Sequence, residues 1–167
     1  MQLLPDAPES ALLDLVERIQ QEPPYSYKPG EIRPAADWFP PLVEKSHVAL
    51  VATAGSRPVG YCVSLPVVTY GKLNDLLSQL AIEPETTEYL AELAVDSSVR
   101  RQGIASAVLD RMRELLPPTT TTVLLRTLTE NTTAIAFYQR HGYQVVDGVQ
   151  QVWNGRQRLF LTRRNRS

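Results

Sequence analysis

A mixed α/β fold is predicted for this chain by three observations. Short β-rich runs alternate with amphipathic helical runs, as where EYLAELAV (88–95) precedes an apolar helical face from Ala105 to Leu116. Prolines stop the helical runs, with Pro23 and Pro24 ending one and Pro117 and Pro118 another. Hydrophobic content of 43% and charged content of 21% over 167 residues suffice to bury one core without disulfides or metals. No repeat or low-complexity tract divides the chain, so it reads as one domain, residues 1–167.

Taken in order, the first helix is predicted from Asp6. Asp-Ala-Pro-Glu places an N-cap acid three residues before Glu9, with Pro8 in the first turn. Leu12, Leu15, Val16 and Ile19 then keep a helical period. Residues 24–38 read as loop, and a short helix is expected around Trp38 to Lys45 despite Pro40 and Pro41. His47 to Ala54 and Pro58 to Leu65 read as strands of a hairpin joined by Gly-Ser-Arg. Leu73, Leu76, Leu77 and Leu80 stand at i, i+3, i+4 and i+7, which predicts an amphipathic helix over 72–81, stopped by Pro84. Glu88 to Val95 is the next strand, and Arg101 to Leu116 the next helix. Thr121 to Thr127 reads as a strand. Thr132 to His141 reads as a helix capped by Asn131, with Gly142 at C′. Tyr143 to Val146 and Gln157 to Thr162 close the chain as strands. One right-handed β-α-β crossover is expected at the centre.

Composition narrows the function classes. A net charge of −1 argues against a nucleic-acid binder. Five of the seventeen basic residues lie between Arg156 and Ser167, leaving an acidic body of 12 basic and 18 acidic groups that weakly favours cationic substrates. A solvated surface with a basic end explains the same distribution. MQLLPDAPES has neither the basic nor the apolar region of a signal peptide, and no apolar run nears the roughly 18 residues of a membrane span. A cytoplasmic protein without membrane or nucleic-acid partners is expected. The single Cys62 makes no internal disulfide and reads as inert core, His47 and His141 read as structural, and no cluster has metal-ligand spacing.

The chemistry-bearing block is LAVDSSVRRQGIAS, Leu93 to Ser106. A buried strand enters a polar turn, and Arg100, Arg101, Gln102 and Gly103 then open a helix. Such a helix start offers unpaired N–H groups and the positive end of a dipole, which suit a phosphate. Gly103 permits close backbone approach, Ala105 keeps the next turn shallow, and the arginines add charge. Neither G-x-G-x-x-G nor G-x-x-x-x-G-K-[ST] occurs here, so no Rossmann site or P-loop is written.

Arg100-x-x-Gly103-x-Ala105 after a hydrophobic strand resembles the coenzyme A pyrophosphate loop of the GNAT superfamily of N-acetyltransferases. Asn131-x-x-Ala134-x-x-Phe137-Tyr138 with Gly142-Tyr143 is similar to that family's second motif, and together the likeness covers roughly 48–146. The resemblance implies a mostly antiparallel central sheet flanked by helices, with a splayed central parallel pair; the family's usual first strand is weak or missing here. It implies acetyl-CoA as co-substrate and no metal. Leu93, Ala94 and Val95 would pair with the pantetheine arm. Arg100, Arg101, Gln102, Gly103, Ile104, Ala105 and Ser106 would hold the pyrophosphate, and Asn131, Ala134 and Tyr138 would contact the cofactor. Tyr138 takes the position of the acid for the leaving thiolate, and Glu92 is the candidate base, with a strand glutamate facing solvent or an arginine as its alternative. A backbone N–H near Val95 would meet the oxyanion.

The implied reaction is direct acetyl transfer to a primary amine of a small molecule or peptide. The competing readings are a non-catalytic acyl-CoA sensor and a peptide N-terminal acetyltransferase. Tyr25, Tyr27 and the leucine segment lie where the family builds its acceptor groove. That segment reads as a lid, half of a homodimer contact, or a packed surface helix. A closed pocket lined by Glu83, Glu85 or Glu88 would favour a polyamine-like cation.

Overall fold

The computed structural model describes residues 2–3 and 9–165. The predicted helix start at Asp6, with Pro8, lies outside them. By its internal packing the chain forms two units, one of residues 1–64 and 92–116, the other of residues 65–91 and 117–167.

The first unit holds strands β1 (Gln2–Leu3), β2 (Val48–Ala54) and most of β3 (Arg57–Pro66) in that order, together with residues 92–95 of β4 (Thr87–Val95), whose residues 87–91 belong to the second unit. The family's first strand, expected weak or missing, is present as two residues, Gln2 and Leu3 pairing with Val51 and Leu50. β2 and β3 form an antiparallel hairpin closed by a two-residue turn, with Gly55 at φ +62°. The predicted linker overran it by one residue, because Arg57 already pairs with Ala54.

Helix α1 (Ser10–Gln21) buries Leu12, Leu15, Val16 and Ile19 against Phe39 and Val43 of α2 (Ala35–Glu44) and against Tyr61 and Val63 of β3. Each such side chain is worth about 1.5–3 kcal/mol of burial. α2 starts earlier than predicted and tolerates its two prolines. Pro41 cannot donate to the carbonyl of Asp37, and the Arg33 guanidinium donates to it instead, at 2.9 Å. Glu17 of α1 accepts from the N–H of Ala35 at 2.7 Å, placing a carboxylate at the positive end of α2. Helix α3 (Ile104–Leu115) buries Val108, Leu109 and Met112.

In the second unit the strand order is β4, β5 (Thr122–Leu128), β7 (Arg156–Arg164), β6 (Gln144–Trp153). β4 and β5 are parallel from Thr87↔Thr122 to Leu90↔Leu125, whereas β5–β7 and β6–β7 are antiparallel. Helix α4 (Thr132–Arg140) follows β5.

Two expectations are corrected here. Residues 72–81 do not form an α-helix; Gly71–Gln79 is a run of 3₁₀ turns. The N–H of Leu73 bonds the carbonyl of Tyr70, and that of Leu80 bonds Leu77, both three residues back. Leu73 is in line with Leu76 and Leu77 with Leu80 in a three-residue period, so the same spacing serves both helices. Asn74, Asp75 and Ser78 supply little α-helix propensity to decide otherwise. The strand predicted over 143–146 runs on to Trp153, through a register shift between Val145 and Gln150. Asn154-Gly155, both at positive φ, then turns it into β7. That dipeptide is a strong hairpin signal, and it could have shown the longer strand.

Candidate active site

β4 changes character along its length. Thr87 to Leu90 are buried, whereas Ala91 to Val95 are half-exposed although four of the five are apolar. Leu93, Ala94 and Val95, the predicted pantetheine segment, thus leave apolar strand surface open in the first unit. Gly60 of β3 explains how closely the chain packs behind it. A Cβ at Gly60 would meet the Ala94 carbonyl oxygen at 3.0 Å and Ile104 at 3.6 Å.

The loop from Asp96 to Gly103 is held from below. Asp96 is buried, and its carboxylate accepts from the backbone N–H and hydroxyl of Ser98, both at 2.9 Å. It also accepts from Arg18 of α1 at 2.6 Å and Arg57 of β3 at 3.2 Å. The Ser98 N–H, then the Ser98 hydroxyl and the two guanidinium groups, outweigh burial and hold the carboxyl below its ordinary range. Glu22, at the end of α1, accepts from Ser97 at 3.0 Å and from Arg100 at 3.2 Å. Arg100 also reaches the Val95 carbonyl at 3.3 Å. Arg100 therefore orders the loop, and both Arg100 and Arg101 are exposed.

Arg101 and Gly103 both adopt left-handed backbone, at φ +64° and +78°. For arginine this conformation costs about 1–2 kcal/mol, strain of the kind that collects at functional sites. Gly103 begins α3 with no side-chain cap. A Cβ on Gly103 would have nothing within 4 Å. Ile104, Ala105 and Ser106 of the first turn are half-exposed, and Gln102 is exposed. Uncapped N–H groups at the positive end of a 12-residue helix suit an anion. The arrangement fits a diphosphate followed by an apolar arm.

Glu92 is half-buried on β4 and does not simply face solvent. Burial of Tyr61, and after it the charge of Glu92 and then Tyr25, keep the Tyr61 phenol well above its ordinary pKa. Glu92, Tyr61 and Tyr25 are thus within electrostatic reach in the first unit. Tyr25 stacks on Tyr27 at 6.3 Å.

Asn131, Ala134 and Tyr138 lie in the second unit. The Asn131 side chain accepts from the Ala134 N–H at 3.2 Å and donates to Thr127 at 3.5 Å, so it caps α4 as predicted. Gly142, at φ +83°, ends that helix. Ala134 is half-exposed and Tyr138 buried, edge-on to Phe137 at 5.2 Å and to Tyr143 at 5.5 Å. Glu88 is buried on β4, 2% exposed, while Glu83 and Glu85 lie beside it in sequence on the preceding turn. Cys62 is buried in β3. Among the described residues no group of three or more His, Cys, Asp or Glu could hold a metal, and no helix is long and apolar enough to cross a membrane.

The sequence reading missed Asp96, Arg18, Arg57 and Glu22. Their separations of up to 78 residues leave no local signature. A buried acid just after an apolar strand was the one available hint.

Residues 45–145 match the acetyltransferase (GNAT) domain family. The fold is similar to that of NAA60 from Arabidopsis thaliana in complex with a bisubstrate analogue. There the TM-score is 0.67 and identity 19%, covering 93% of this chain and 94% of that one. It is also similar to PH1933 from Pyrococcus horikoshii, with TM-score 0.73, identity 18% and coverage of 99% and 98%. The ribosomal-protein-alanine N-acetyltransferase from Brucella melitensis aligns with TM-score 0.71, identity 16% and coverage of 98% of each chain. No curated protein matches this sequence.

Proposed function

Because the chain belongs to the GNAT acetyltransferase family, we propose that it moves the acetyl group of acetyl-CoA directly to a primary amine of a small molecule or peptide. The observation that carries this reading is the uncapped start of α3, joined by the loop 96–103 to a half-exposed apolar strand end. A diphosphate and a pantetheine arm need those two surfaces in that order. Bound acetyl-CoA supplies the activated thioester.

The loop from Arg100 to Ser106 binds the diphosphate through backbone N–H groups, with Arg101 adding charge and Gln102 and Gly103 leaving the approach open. Leu93 to Val95 offer strand backbone to the pantetheine arm. An amine acceptor must lose a proton before it attacks, since alkyl ammonium groups titrate near about 10.4 and α-amines near about 8. Glu92 takes that proton, directly or through one water. The new C–N bond forms as the C–S bond breaks, and a backbone N–H near Val95 faces the developing charge on oxygen. Tyr138 gives its phenolic proton to the departing sulfur, and the proton that the newly bonded nitrogen sheds restores the phenol. No acyl-enzyme is required. Holding both reactants together supplies much of the rate, with effective molarities reaching about 10⁵ M or more.

A peptide acceptor is supported by the fold likeness to a protein described as a ribosomal-protein-alanine N-acetyltransferase. The test is release of free coenzyme A thiol on mixing protein, acetyl-CoA and a panel of peptides, amino acids and polyamines, with gain of one acetyl group read by mass spectrometry. Thermal stabilisation by acetyl-CoA with no transfer to any amine would instead identify a sensor.

A further inference from the structure

The Tyr61 phenol is a polar group enclosed in the apolar core of the first unit. The residue is 0% exposed, and among the described residues its hydroxyl makes no hydrogen bond of normal geometry. A buried hydroxyl in that condition is disfavoured, so one that is kept calls for a reason. Packing does not supply it. Phe39 meets the Tyr61 ring edge-on at 5.3 Å, a contact that phenylalanine would make as well.

The surroundings point toward Glu92, all within the first unit. Ala94 of β4 packs against the buried cluster that holds Tyr61 and Val63 of β3. Side chains alternate along a strand, so Glu92, two residues before Ala94, lies on that same face. The two strands are held side by side here. The Asp96 N–H bonds the Val59 carbonyl at 2.8 Å, and a Cβ at Gly60 would meet the Ala94 carbonyl oxygen at 3.0 Å. Gln20 of α1, 9% exposed, also faces the phenol, as does the half-buried Tyr25. The charged side chains of α1 and α2 are engaged or exposed elsewhere. Arg18 pairs with Asp96, Glu17 accepts from the Ala35 N–H, and Asp14, Asp37 and Glu44 are exposed. Burial first, and the Glu92 charge after it, keep the phenol protonated, so it is a donor wherever Glu92 is an anion. A phenol, an amide and a carboxylate that face one another supply the roughly three partners a buried water takes.

We propose that Tyr61, with Gln20, is a positioning residue for Glu92: its hydroxyl donates through one bridging water to the Glu92 carboxylate, fixing the carboxylate's direction and favouring its charged form. This rests on the reading of Glu92 as the base and deepens it. A carboxylate aimed by a neutral phenol is ready for the proton of the amine.

The test compares wild type, Tyr61→Phe, Glu92→Gln and the double variant. The Glu92 carboxyl is titrated by carbon-13 NMR, a readout that needs no turnover, with its signal identified by its loss in Glu92→Gln. In parallel, kcat and KM are measured against pH with an amine that the wild type acetylates. Tyr61→Phe keeps the ring against Phe39 and should fold. Its Glu92 should titrate at higher pH, because a donor that favoured the anion is gone, and the acid limb of kcat should move the same way. The expected fall in kcat is about tenfold, with KM for acetyl-CoA little changed. On a Glu92→Gln background the same substitution should cost less than about twofold, since the hydroxyl then has no carboxylate to act on. Gln20→Met removes another partner of the same water and should shift the Glu92 titration in the same direction. A Glu92 titration that neither Tyr61→Phe nor Gln20→Met moves, or a tenfold loss repeated in full on top of Glu92→Gln, overturns the proposal and leaves acetyl transfer intact. A shifted titration in a protein that acetylates no amine supports the contact and sinks the acetyltransferase reading instead.

Discussion

Two helices of this chain each follow one strand of the parallel pair, and their first turns are finished differently. α4 is closed by its own sequence: Asn131 accepts from Ala134 and donates to Thr127, so its start is satisfied within the protein. α3 opens on a left-handed Gly103 with no side-chain cap, and the loop before it is fastened through Asp96 and Glu22. The stabilising contacts of α3 therefore lie beneath the loop, and its N–H groups stay available. A helix start that is rigid yet unsatisfied is prepared for an anion; one that is capped is prepared to hold side chains such as Tyr138 in place.

The largest effect is expected from the capped side. Tyr138→Phe should lower kcat by about a hundredfold or more while leaving acetyl-CoA affinity nearly unchanged, checked by steady-state kinetics with calorimetry. Equal loss of both would remove the acid role and leave a packing role.

Breaking the fastening under α3 comes next. Asp96→Asn leaves Arg18 and Arg57 without their carboxylate, and because both are about half-exposed the expected loss is roughly 1–3 kcal/mol in a urea titration. The pH dependence has a definite sign. Asp96 is held below its unfolded value of about 3.9, so its contribution is whole above that pH and is lost as pH falls toward the lower folded value. Wild-type stability should therefore fall more steeply than that of Asp96→Asn below about pH 4.

The smallest of the three concerns the cap itself. Asn131→Ala should cost about 1 kcal/mol in thermal or urea unfolding, making α4 resemble α3 at its start.

Much of this contrast could be read from the residues, but unevenly. Asn131 and Gly142 bracket α4 by local rules, and the apolar face of α3 with Pro117 after it needs only a helical period. The open start of α3 was legible because Arg100, Gly103 and Ala105 stand together in the chain. Its fastening was not, since Arg18, Arg57 and Asp96 are brought together by packing. The 3₁₀ run at 71–79 escaped because four leucines at that spacing satisfy two helical periods at once.

The account stands most directly on the start of α3, where Gly103 has open space around it. Calorimetric titration of acetyl-CoA into wild type, Gly103→Asn and Gly103→Asp isolates charge, because both side chains tolerate left-handed backbone and are nearly isosteric. Wild type should bind, and the aspartate variant should bind at least about tenfold more weakly than the asparagine variant, since its carboxylate would stand where the proposed function puts the diphosphate. No binding by wild type, or equal affinities for the two variants, would contradict the assignment.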